Sequence, residues 1–146
     1  MPSGPYSIFH KAADHLVKEH LMQRSRRINS DTDINPVIVV LYGMLDQITD
    51  IPSPYSKDKT SPVLVLSHLE DSAGLIPECE GMNYQIGVSH RMTLRKAEPG
   101  DRVKIHALMG IKPHGRLGNG DWRINYHQDK GSYRLGFKSV VDMEKS

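Results

Sequence analysis

Arg102-Val-Lys-Ile-His-Ala-Leu-Met-Gly-Ile-Lys112 is the stretch that decides the fold. Val103, Ile105, Ala107, Met109 and Ile111 alternate with Arg102, Lys104, His106, Leu108, Gly110 and Lys112. Period two is the signature of a strand with one face on a core and the other in water. The same alternation lies on either side. Upstream, Tyr84, Ile86, Val88, His90, Met92 and Leu94 alternate with Gln85, Gly87, Ser89, Arg91, Thr93 and Arg95. Glu98-Pro-Gly-Asp101 joins the two runs as a turn, with Pro99 preset at the second position and Gly100 at the third, where φ is positive. Downstream, the Gly-rich loop Pro113–Gly120 leads to Trp122, Ile124 and Tyr126. Asp129-Lys-Gly131 then turns the chain into Tyr133, Leu135 and Phe137. The pattern predicts a four-strand antiparallel meander over 84–141 with one apolar face.

Toward the N-terminus the period changes. Residues 1–6 hold two prolines and a glycine and read as an extended arm. Over 7–25, Phe9, Ala13, Leu16, Val17 and Leu21 form one stripe of an amphipathic helix. Ser7 is placed to cap it, and Arg24, Arg26 and Arg27 suit its C-terminal dipole. Residues 36–69 contain two strands apolar on both parities, Pro36–Tyr42 and Val63–Leu66, separated by a loop with Pro52, Pro54 and Pro62. Gly43–Asp50 either continues the first strand or makes two helical turns, and 70–83 is mostly irregular. The expected fold is α+β in a single domain over 1–146, an N-terminal helix packed on a mainly antiparallel sheet. One helix covers one side of a sheet. A second copy of the chain is therefore expected over the remaining apolar strands.

Composition bounds the class. The 146 residues are 38% hydrophobic and 25% charged, as in an ordinary globular domain. The longest apolar run, Val37–Tyr42, is far too short to cross a bilayer. The N-terminus lacks the charged, apolar and small-residue pattern of a secretory signal. A single cysteine, Cys79, excludes an intramolecular disulfide and suits a reducing, cytoplasmic setting.

Charge is unevenly spread beneath a net +2. Residues 1–87 hold 7 Lys/Arg against 11 Asp/Glu, whereas 88–140 hold 11 against 4. The polar parity of the meander carries Arg91, Arg95, Arg102, Lys104, Lys112, Arg123, Arg134 and Lys138, with Arg116 at the tip of the long loop. The four acids of that segment, Glu98, Asp101, Asp121 and Asp129, fall at turns or strand ends. Like charges opposite one another across strands are destabilising, so a one-signed face implies either an anion that neutralises it or the acidic first half, with Asp46, Asp50, Glu70, Asp71, Glu78 and Glu80, packed over it. These nine cations are the expected contacts to nucleic-acid phosphates or to an anionic membrane surface. The aromatic residues fall on the apolar parity, which argues for backbone contact over base stacking.

Other motifs lead nowhere chemical. His10, His15 and His20 are five residues apart, about 140° per step around a helix, and cannot share a metal. His90 lies on the apolar parity and reads as a hydrogen-bonded core residue. Glu78 and Glu80 beside Cys79 oppose thiolate formation. Gly115-Arg-Leu-Gly118 matches a GxxG loop in spelling but lies between strands where that motif joins helices. No catalytic set, metal site or cofactor is expected.

Two resemblances add alternatives. The hairpin pattern over 84–112 resembles the centre of hot-dog-fold acyl thioesterases and dehydratases. Gly43-Met-Leu-Asp46 then resembles the start of their helix, which implies Asp46 as general base. That reading needs a helix through 43–55, against Pro52 and Pro54. Separately, Cys79-Glu-Gly81, Tyr84 and His90-Arg-Met92 resemble a short stretch of vesiculovirus matrix proteins, and Pro52-Ser-Pro-Tyr55 is similar to their late-domain motif. This implies a small viral matrix-like or accessory protein, although the Lys-rich arm of that family has no counterpart here. The expected function is non-enzymatic binding or assembly through the basic face. The alternative is a hot-dog enzyme acting on acyl thioesters.

Overall fold

Phe9, Ala13, Leu16 and Val17 are fully buried along one side of helix α1 (Ile8–Ser25), with Leu21 packed at the edge of the same core. The computed structural model describes residues 8–25, 35–52, 58–89, 97–111, 122–125 and 132–146. The expected Ser7 cap lies outside them. The first turn of α1 has no acid of its own, and its cap comes from far along the chain. The Phe9 N–H donates to Asp71 Oδ2 at 3.1 Å, and the Ala73 N–H donates to the other carboxylate oxygen at 2.8 Å. A buried carboxylate at a helix N-terminus satisfies an orphan donor and complements the dipole. It also ties the helix to the end of a strand.

Among the described residues the strands are β1 (Val37–Pro52), β2 (Thr60–Asp71), β3 (Gly74–Leu75), β4 (Tyr84–Gly87), β5 (Arg102–Ile111), β6 (Trp122–Asn125) and β7 (Ser132–Lys145). The sheet runs β3-β2-β1-β5-β7-β6, and β4 also pairs with β2. All of these pairings are antiparallel. This is the expected α+β class, a helix packed on a curled, mainly antiparallel sheet.

Strand neighbours differ from the simple meander. β4 lies beside β2, with Ile86 opposite Leu64 and Tyr84 opposite Leu66. β7 separates β5 from β6. Alternation along a strand fixes which face is buried but not which strand is adjacent. Here β1 occupies one edge of β5 over eight residue pairs, from Val37↔Met109 to Met44↔Arg102, and β7 takes the other. Just past β4, Val88 meets Val140 of β7 in a parallel bridge, and the Ser89 N–H donates to the Val140 carbonyl at 2.9 Å. That contact curls the sheet around the core, where the Tyr84 and Phe137 rings meet edge to face. The expected turn forms: Gly100 has φ 97°, and the Asp101 N–H donates to the Glu98 carbonyl.

Residues 43–52 continue β1 as strand, so the helix required by the hot-dog resemblance does not form. Gly43 pairs with Val103 of β5, Met44 pairs with both β2 and β5, and Gln47–Pro52 pair with β2, which commits this backbone to the sheet. β1 and β2 slip register twice. Asp46 is the extra residue at one slip and is exposed. At the other, Tyr42 faces Glu70 while Met44 faces Ser67, so His68 and Leu69 bulge opposite Gly43. A Cβ on Gly43 would lie 2.8 Å from Leu69 Cδ2 and 2.9 Å from the Ser67 carbonyl oxygen. Only glycine fits that approach.

Candidate anion-binding face

The inward parity of β5 is the expected one: Val103, Ile105, Ala107, Met109 and Ile111 are buried. Arg102, Lys104 and His106 therefore occupy the outer face, each beside an acid. Register sets Lys104 opposite Glu144 and His106 opposite Asp142. The Lys104 ammonium is 3.7 Å from the Glu144 carboxylate, and His106 Nδ1 is 3.8 Å from that of Asp142. Arg102 pairs with Glu70 of β2. This half of the face is mixed in sign, which corrects the expectation of a face without carboxylates. The physical reason is the length of β7. It runs to Lys145, alternation continued past Phe137 puts Met143 inward and Asp142 and Glu144 outward, and two register shifts against β5 set those acids opposite His106 and Lys104.

At the other end of the same face the arrangement changes. Arg123 of β6 stands directly opposite Arg134 of β7 in the ladder. Lys138, exposed, follows on β7, and its stem lies over Gly110 of β5, where a Cβ would come within 2.6 Å of Lys138 Cε. Gly110 itself faces Gly136.

Of the nine cations expected from sequence, the structure places Arg102, Lys104, Arg123, Arg134 and Lys138 on β5, β6 and β7. Arg91, Arg95, Lys112 and Arg116 lie outside the described residues, as do His90 and the Gly115–Gly118 loop. The histidines of α1 diverge as expected: His15 is exposed, whereas His20 is buried against the Tyr133 ring. Among the described residues no three His, Cys, Asp or Glu side chains gather as metal ligands. No described helix is long and apolar enough to cross a membrane. Glu70 is one of the first-half acids that sequence offered to balance the face, whereas Asp142 and Glu144 were missed as partners of the cations. The signal was present in Asp142-Met-Glu144, a continued alternation beyond Phe137. No protein-family model, curated protein or solved structure matches this chain.

Proposed function

We propose that the protein is a non-enzymatic binding and assembly protein that holds a phosphate-bearing partner on the β6–β7 end of its outer face. The observation that carries this reading is the Arg123↔Arg134 cross-strand pair beside exposed Lys138. Strand register sets these two arginine positions on neighbouring strands beside Lys138, so one phosphate-bearing partner can meet several basic residues there. Arginine's planar fork suits phosphate oxygens. By sequence, Lys112 and Arg116 belong to the segment between β5 and β6. Nucleic acid is the favoured source of phosphate, because an extended polyanion matches a face that spans several strands. Anionic lipid headgroups share the chemistry.

Retention across a salt gradient tests the proposal. The protein is expected to bind single- or double-stranded nucleic acid with affinity falling linearly in log–log against salt. Binding to anionic vesicles but not to nucleic acid would move the partner to the membrane. Retention on neither matrix at low salt would refute the reading.

Assembly rests on the middle of the same face. Ile38, 58% exposed, is opposite Leu108 in register, with half-buried Val40 two residues on. A second copy is the proposed cover for this apolar strip, since homo-oligomers commonly form through one self-complementary patch. Light scattering should then give a mass above the 16.5 kDa of one chain. Ile38→Lys should return it to that mass, and a wild-type monomer at micromolar concentration would contradict the assembly.

A further inference from the structure

The bulge opposite Gly43 does more than bend β2. His68 sits there with φ 54°, a left-handed conformation uncommon for any residue with a Cβ and taken freely by glycine. Strain held at a non-glycine residue marks functional positions, and bulges re-aim side chains beside binding sites. Beside it lies a cavity of about 340 Å³, at the small end of the range for ligand pockets. Ser67, Leu69 and Cys79 contribute buried wall, Met82 is partly buried, and Leu75, 63% exposed, stands at the rim.

The polar end of this cavity is built from two adjacent residues. His68 Nδ1 and Ser67 Oγ are 3.1 Å apart, with Ser67 itself buried. In one ring tautomer the Ser67 hydroxyl donates to Nδ1 and Nε2–H is a donor. In the other, Nδ1–H donates to Ser67 and Nε2 accepts. A hydroxyl group, both donor and acceptor, satisfies His68 Nε2 in either tautomer. Exposed Glu80 also lines the cavity and disfavours an anion.

We propose that this cavity binds a small, neutral, largely apolar molecule carrying one hydroxyl group, with His68 and Ser67 as its polar anchors. The site lies on β2 and the segment that follows, apart from the cationic end at β6–β7, and does not depend on phosphate binding.

A matched set of probes tests it: para-cresol, toluene without the hydroxyl, and para-toluate with a negative charge. Backbone amide shifts on titration of the intact protein with para-cresol should saturate and centre on residues 67–69, 75 and 79–83. Toluene and para-toluate should bind more weakly by about fivefold or more, the worth of one neutral hydrogen bond. His68→Gly relieves the left-handed strain, so the melting temperature should stay level or rise while para-cresol affinity falls to that of toluene. Leu75→Asp, at an exposed position, should weaken all three probes and leave the fold intact. Equal binding of para-cresol by His68→Gly and wild type would overturn the proposal, as would shifts centred elsewhere or absent at the solubility limit.

Discussion

The two ends of the outer face carry the same residue types and differ in what stands beside them. Around Arg102, Lys104 and His106, the acids Glu70, Glu144 and Asp142 are at ion-pair range. At the β6–β7 end, Arg134 faces Arg123. Exposed pairs such as Lys104–Glu144, with side chains 33% and 54% accessible, add only about 0.2–1 kcal/mol to stability. Their larger consequence is electrostatic. A cation already partnered by a carboxylate releases fewer counterions when a polyanion arrives. Strand parity therefore counts cations correctly and overstates how many are available to a phosphate.

The comparison can be broken from either side. The largest effect should come from Glu70→Gln with Glu144→Gln, which frees Arg102 and Lys104. The salt slope of nucleic-acid binding should steepen by up to roughly 1.4–1.8 units, about 0.7–0.9 per new contact. An unchanged slope would place the paired end outside the footprint. Lys138→Ala should flatten the slope by about one contact, ~0.7–0.9, with the melting temperature essentially constant because the residue is exposed. Gly110→Ala should have the smallest effect. It displaces only the flexible stem of Lys138, so a few-tenths change in slope is expected and the fold should persist. A loss of folding there would show that the β5–β7 approach is tighter than the Lys138 contact alone.

Much of this architecture was legible before any coordinates. The α1 stripe, the inward parity of β5 and β7, and the turn at Gly100 all follow from residue period and turn chemistry. Which strands become neighbours did not follow, because Tyr84 and Ile86 present the same apolar face to β2 as they would to β5. The helical option for Gly43–Asp50 was settled by long-range pairing of β1, with β5 up to Met44 and with β2 beyond it, which local sequence does not encode. That Asp142 and Glu144 face outward was legible in the alternation continued past Phe137, whereas which cations they face was hidden by the register shifts near Lys138 and Val141. Asp71 as the cap of α1 spans 62 residues of sequence. His68 was invisible as a strained position, because nothing in Ser67-His-Leu69 itself signals a bulge. That position is defined by Gly43 on the opposite strand.

The most direct measurement compares two double variants in one nucleic-acid binding assay, titrated from low to physiological salt. Arg123→Ala with Arg134→Ala removes the like-charge pair, and Arg102→Ala with Lys104→Ala removes cations that already have acidic partners. The β6–β7 variant should lose roughly 1.4–1.8 units of log–log slope, and the β5 variant should lose markedly less. Equal losses, or a larger loss in the β5 variant, would contradict the placement of the phosphate at the β6–β7 end.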